Sequence, residues 1–200
     1  MTKVSRPTIF TIGHSNHPID YFISLLTMHK ITAVADVRSS PYSKRYSHFS
    51  QDRLKRHLKE AGIAYVYLGK ELGGRGRNDD EYINGRVSYT ALGKTPRFRA
   101  GLRRVRKGSA SYAIALLCSE ADPMQCHRGI LIAPELVKAG FRVNHILPDG
   151  NLEAHDQLEQ RLLTKHRLHS QALFFSYPEI LRKAYDKQAE LIAYTKVERK

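Results

Sequence analysis

An open α/β fold is predicted for this 200-residue chain: a mainly parallel sheet of about five strands with helices on both faces. Two observations carry the expectation. From Thr8 to Gly150, short β-branched and apolar runs alternate with segments of helical spacing, as repeated strand–helix–strand units do. From Asn151 onward the pattern becomes helical only. An α/β domain over 8–150 is therefore expected to carry a packed C-terminal helical extension over 151–200, with right-handed crossovers inside the domain.

The elements follow in order. Thr8–Ile12 reads as a strand, ended by Gly13-His14-Ser15-Asn16. Ile19, Phe22, Ile23 and Leu26 recur at helical spacing, so a helix is expected to about Lys30. Ile31–Val37 is a second strand, and Ser50 is placed as N-cap of a helix carrying Leu54 and Leu58, stopped by Gly62. Ile63–Leu68 is the third strand. Residues 69–93, with Gly73-Gly74-Arg75-Gly76-Arg77, are expected to form a long mobile loop. Thr95–Lys107 aligns Phe98, Leu102 and Val105 on one helical face and mostly Arg and Lys elsewhere. Tyr112–Leu117 is the most apolar strand and is placed centrally. The helix after Cys126 contains Pro134, which has no N–H to give Ile130, so it must kink or restart there. Phe141–Leu147 is the fifth strand.

Composition bounds the function class. With 42% hydrophobic and 26% charged residues the chain is of ordinary globular type, and no apolar run reaches the roughly 18–20 residues of a membrane helix. Met1–Pro7 is polar and shows no signal-peptide pattern. Two cysteines are too few for a secreted disulfide framework, so a cytoplasmic protein with reduced thiols is expected. The net charge is +14 and unevenly placed. Lys94–Lys107 holds Lys94, Arg97, Arg99, Arg103, Arg104, Arg106 and Lys107 without an acid; Arg38–Arg56 adds Lys44, Arg45, Arg53 and Lys55 against Asp52 alone. Such clusters fit a nucleic-acid or nucleotide partner, against the plainer reading of a basic surface that keeps the protein dissolved. No membrane partner is expected, and oligomeric state is left open.

Parallel strands deliver their following segments to one carboxyl edge, where open α/β sheets bind ligands. The residues gathered there are His14 and Ser15, then Asp36 and Arg38, then Glu71, Gly73, Gly74 and Arg75, then Cys118, Glu120, Cys126, His127 and Arg128. Cys126, near a helix start and beside Arg128, is the candidate reactive thiol; its plainer alternative is a small buried cysteine. His127 or His14 serves as base, with Asp36, Glu71 and Glu120 as further acid–base candidates. Ser15, Arg38, Gly73, Gly74, Arg75 and Arg128 are the anion-binding candidates. Tyr42, Tyr46, His48 and Phe49 lie among cations, as in surfaces that stack bases.

A phosphatase-type loop does not fit, because Cys118 to Arg128 is too long and Glu120 and Asp122 would repel phosphate. A rhodanese-like sulfur carrier fails on the same loop chemistry. A metal site from Cys118, Cys126 and His127, with Glu120 or His14, has suitable ligand types but no paired CxxC or HxxxH spacing.

These residues also resemble a known family. Gly13-His14-Ser15, Asp36-Val37-Arg38-Ser39-x-Pro41, Glu71-Leu72-Gly73-Gly74-Arg75, and Cys118-x-Glu120 followed by Cys126-His127-Arg128 are similar to the bacterial and archaeal domain-of-unknown-function family 488. The likeness runs from about Thr8 to Tyr194 and includes Ile146–Gly150 and the Arg182–Tyr194 tail; Pro134 stands where the family more often has a helix former. The resemblance implies a Rossmann-like domain whose Cys-His-Arg element is of enzymatic type, and the same site residues.

Three readings stand at this point. The first is an enzyme, cysteine-dependent and of hydrolase or transferase type, acting on a phosphate-bearing nucleotide or nucleic acid through Cys126. The second is a non-catalytic nucleic-acid-binding protein. The third is a metalloprotein using Cys118, Cys126 and His127. No cofactor is expected, and the preferred site contains no metal ligands.

Overall fold

The strand–helix alternation read from the sequence is realised in the computed structural model, which describes residues 6–169 and 175–196. In chain order the elements are β1 (Thr8–Gly13), α1 (Ile19–Met28), β2 (Ala33–Asp36), α2 (Gln51–Glu60), β3 (Ala64–Tyr67), α3 (Gly69–Leu72), β4 (Tyr82–Ile83), β5 (Arg86–Val87), α4 (Tyr89–Lys94), α5 (Pro96–Gly108), β6 (Ile114–Cys118), α6 (Ala133–Lys138), β7 (Arg142–Ile146), β8 (Leu152–Ala154), α7 (His155–Lys165) and α8 (Tyr177–Ile192). The amino-terminal expectation for Met1–Pro7 lies largely outside the described residues, as do residues 170–174 and 197–200 of the expected extension.

Six strands form one sheet in the order β3-β2-β6-β1-β7-β8, and all pairings are parallel except β7 with β8. β6 is wholly buried and central. Its alternating side chains feed two cores, because successive Cβ atoms point to opposite faces. Ile114, Leu116 and Cys118 join the core under α4–α8; Ala115 and Leu117 join Phe22, Leu25, Leu26, Leu54 and Leu58 from α1 and α2. Both faces are therefore covered, as a parallel sheet requires. Insertion of β6 between β1 and β2 brings the segments that follow these three strands out side by side.

Three local expectations change, and the one at Pro134 is met. Residues 69–93 are not a featureless mobile loop: α3, the β4–β5 hairpin and α4 occupy them, and Ser88 caps α4 by accepting from the Ala91 N–H at 3.2 Å. Ser50 sits at the N-cap position of α2, but its Oγ bonds the Ser43 backbone instead of capping. The chain after Asn151 is not purely helical, since β8 joins the sheet beyond Gly150 as its antiparallel edge and makes six strands. At Pro134 the helix restarts: a π-helical turn, Arg128–Ile132, hands over to α6, where Pro134 lies in the first turn and no N–H is missed.

Candidate functional site

At the tip of β1 the chain stays zipped to the segment after β6. The His14 N–H donates to the Cys118 carbonyl and the Ser15 N–H to the Ser119 carbonyl, each at 2.9 Å. The approach is so close that a Cβ on Gly13 would lie 1.8 Å from the Glu120 carbonyl oxygen, so only glycine fits. Ser15 then takes a left-handed conformation, φ 48°, which for a residue with a Cβ stores strain of a kind that clusters at functional sites. The buried His14 ring stacks on Phe49 with centroids 4.3 Å apart. Its Nδ1–H donates to the Ser15 carbonyl at 2.8 Å, which leaves the lone pair on Nε2. Burial first, and Arg38 second, lower the His14 pKa to about 4, so the ring is neutral at pH 7.

Asp36 ends β2 and is fully buried. Arg38 grips it bidentately, Nε to Oδ1 at 2.9 Å and Nη2 to Oδ2 at 2.6 Å, and Tyr65 from β3 donates to the same Oδ2 at 2.8 Å. The remaining Arg38 nitrogen donates to the Phe49 carbonyl at 2.9 Å. Asp36 thus orients Arg38 rather than facing a ligand.

Between these tips lies a cleft of about 520 Å³. His14, Ser15 and Arg38 line one part, Tyr42, Arg45 and Tyr46 another, and Ser119 and Glu120 a third. Arg45 lies over the Tyr46 ring, 5.5 Å from its centroid. The cleft therefore joins aromatic faces, guanidinium groups, a neutral imidazole and one carboxylate.

Glu120 links the cleft to a buried cluster. The Cys118 thiol donates to Glu120 Oε2 at 3.2 Å. Behind it, Cys118 Sγ and Cys126 Sγ lie 3.6 and 3.8 Å from His127 Nδ1. His127 Nε2 bonds the Val37 carbonyl at 3.1 Å, which aims Nδ1 at both sulfurs. All three residues are buried, Cys126 only 2% exposed. Burial works against the Cys126 thiolate, but the Cys118 thiol, Arg128 and His127 outweigh it and hold that pKa well below the usual thiol range. Cys118 is pushed up by its bond to Cys126 and by burial.

The structure thus brings His14, Ser15, Arg38 and Glu120 together at the cleft, with Cys118, Cys126 and His127 behind them. It does not bring the rest into contact with a ligand. Arg128 is fully buried and spends its fork within the fold: Nη1 to the Glu120 carbonyl at 2.5 Å, Nη2 to the Ala121 carbonyl at 2.8 Å, and Nε to Thr11 Oγ1 at 3.3 Å. It shapes the Cys118–Cys126 loop instead of binding an anion. Glu71 is paired with Arg104. Gly73 and Gly74 are buried spacers, against Ser39 and against the His127 ring. Arg75 lies over Tyr194, 4.6 Å from its centroid.

The sequence reading gave no role to Tyr65 or Thr11, and none to the Val37 backbone. Val37 acts through its backbone and leaves no mark in side-chain chemistry. Tyr65 precedes Tyr67 by two along β3, a repeat that places both rings on one face next to Asp36 and could have been read. The cleft and cluster together define a Rossmann-like α/β protein with a cleft at the carboxyl edge and a Cys-Cys-His group beneath it. The chain belongs to the family described as Domain of unknown function DUF488, whose model matches residues 18–133. That stretch holds the motifs from Asp36 to Arg128 but is narrower than the likeness expected from Thr8 to Tyr194. Neither the curated proteins nor the solved structures contain a match. No helix among the described residues is long and apolar enough to cross a membrane.

Proposed function

We propose that the protein is an enzyme acting on a phosphate-bearing substrate, a nucleotide either free or within a nucleic-acid strand, held in the cleft at the carboxyl edge. The observation that carries this reading is Glu120. It lines the cleft and also accepts the Cys118 thiol. A ligand in the cleft therefore meets a carboxylate wired to the Cys118–Cys126–His127 group. Arg45 offers donors for phosphate, with the Asp36-held Arg38 adding positive charge at the cleft wall, and Tyr42, Tyr46 and His14 offer ring faces for a base. Cys126, at 2% exposure, belongs to a centre reached past Glu120 and does not act as a surface nucleophile.

The test is binding and conversion by the full chain. At ~50 mM salt, where phosphate contacts are strongest, nucleoside monophosphates and a short single-stranded oligonucleotide are titrated and the products followed by mass. Binding that weakens at least tenfold in Arg45→Gln and Tyr46→Ala, with conversion lost in Glu120→Gln while binding persists, is the expected result. Absence of binding, or binding indifferent to Arg45 and Tyr46, removes the proposal.

A further inference from the structure

We infer that Cys118, Cys126 and His127 form a binding site for one zinc-type divalent metal ion, set directly behind Glu120. The inference names the group at the reacting centre of the proposed enzyme, and only the ion's use in catalysis rests on that reading.

The ligand atoms are already gathered. Cys118 Sγ, Cys126 Sγ and His127 Nδ1 all lie within 4.8 Å of one another. A tetrahedral ion with Zn–S of ~2.3 Å and Zn–N of ~2.05 Å holds its sulfur and nitrogen ligands roughly 3.5 Å apart. The two sulfur–nitrogen separations here are 3.6 and 3.8 Å. An ion fits at their common centre with small adjustments of χ angles.

The outer contacts are those of a metal ligand. A ligating histidine characteristically donates its other ring N–H to a carbonyl or carboxylate, which sets the tautomer and aims the lone pair. The Val37 carbonyl does this for His127. Gly74 packs on the opposite part of the ring, where a Cβ would lie 2.8 Å from Cγ. A dithiol that merely stored a disulfide would need neither arrangement. Arg128 supplies further order by holding the Glu120 and Ala121 carbonyls, and with them the loop between the two cysteines. Two thiolates and an imidazole select a borderline ion of zinc type over magnesium or calcium.

Three protein ligands leave a tetrahedral ion one open position, the arrangement of catalytic rather than structural sites. Glu120, 3.2 Å from Cys118 Sγ, borders this group and lines the cleft. The plan, two cysteines and a histidine with a neighbouring glutamate, is one that supports acid–base work on a metal-held water.

The test uses the reduced full chain, titrated with Co²⁺ and followed by its visible and near-ultraviolet absorption, then displaced by Zn²⁺. Uptake of one equivalent with the bands of tetrahedral thiolate coordination is expected. Those bands should be lost in Cys126→Ser and weakened at least tenfold in affinity by His127→Gln. Far-ultraviolet circular dichroism confirms that each variant remains folded, and Cys118→Ser provides a second ligand variant should Cys126→Ser not fold. A folded, reduced wild-type chain that takes up no cobalt overturns the inference, as does uptake unchanged in both cysteine variants. Cobalt bound in a chain that binds no nucleotide would keep the metal site and remove the proposed function; nucleotide bound without cobalt would do the reverse.

Discussion

Gly74 and His127 are in contact so close that no side chain fits between them: a Cβ on Gly74 would lie 2.8 Å from the ring Cγ and 3.0 Å from its Cβ. Because the ring is also tied to Val37 on its Nε2 side, it has no free direction in which to yield. Gly74→Ala is therefore expected to cost about 1–3 kcal/mol as overpacking and to weaken cobalt binding by turning Nδ1 from the sulfurs. Gly93→Ala is the control: its Cβ would meet only Leu131 Cδ1, at 3.7 Å. Within α4 that change should stabilise by about 0.5–1 kcal/mol. Denaturant midpoints and cobalt titration of the two variants check the contrast. Equal behaviour would show that the His127 ring is not clamped.

Arg128 separates scaffold from binding site. Its guanidinium meets two carbonyls and a threonine hydroxyl, with no exposed surface. Arg128→Met should leave the Glu120 and Ala121 carbonyls short of donors, at about 1–3 kcal/mol for a buried group left unsatisfied. Urea unfolding measures that loss. If Arg128 instead held a substrate phosphate, the variant would keep its stability and lose binding alone.

The two arginines also show how far the sequence could be read. The placing of the edge was legible, because strand–helix alternation forces the segments after β1, β2 and β6 to one side of the sheet. Which residues at that edge face a ligand was not. Arg38 and Arg128 look alike in the chain, yet Asp36 turns Arg38 toward the cleft while the carbonyls of Glu120 and Ala121, 8 and 7 residues earlier, absorb Arg128. Gly73 and Gly74 read as a loop for anions and are instead the thin layer that lets the chain lie on Ser39 and His127. The paired sulfurs and His127 carry no spaced motif, since Cys118 arrives from a strand and Cys126 from the loop beyond it. Only the parallel sheet brings them together.

Asp36 and Arg38 make a buried ion pair, at 0% and 4% exposure. Removing one partner strands the other charge, which costs about 3–5 kcal/mol in buried pairs. Asp36→Asn is expected at that level. Tyr65→Phe removes one donor from the same carboxylate while two arginine bonds remain, so a loss near 1 kcal/mol is expected. Chemical denaturation of both variants tests the order. Similar losses would mean that the tyrosine, not the ion pair, carries the network.

Acid should destabilise the fold through two buried neutral histidines. A hydrogen-bond chain runs from Arg128 through Thr11, His145, His155 and Tyr185 to Glu159. Arginine can only donate, and an ionised Glu159 can only accept. The polarity is then set throughout, with both histidines neutral and protonated on Nε2. Burial lowers the His155 pKa to about 4, and His14 sits at about 4 by burial and Arg38. Between pH 6.5 and 4 these two histidines bind protons in the unfolded chain that they refuse in the native state, so their contribution to the unfolding free energy rises with pH across this window. The stabilisation is complete above about pH 6.5 and is lost as pH falls toward 4, at roughly 2 kcal/mol per histidine between pH 7 and pH 5. Urea midpoints at pH 7, 6 and 5 should fall accordingly, and His155→Gln should flatten the profile. A stability that stays level from pH 7 to pH 5 rejects the neutral chain.

The basic face of α5 divides into charges already used and charges left over. Arg97 is paired with Glu81 and Arg104 with Glu71, whereas Arg99, Arg103, Arg106 and Lys107 are exposed and have no carboxylate partner among the described residues. If the substrate is a strand rather than a free nucleotide, these four are the groups placed to meet its backbone. Each phosphate contact contributes about 0.9 to the slope of log affinity against log salt on duplex and about 0.7 on a single strand. Replacing Arg103, Arg106 and Lys107 with glutamine should then lower the slope for a single-stranded oligonucleotide by about 2, while mononucleotide binding in the cleft stays as it was. An unchanged slope would confine recognition to the cleft and make the free nucleotide the ligand.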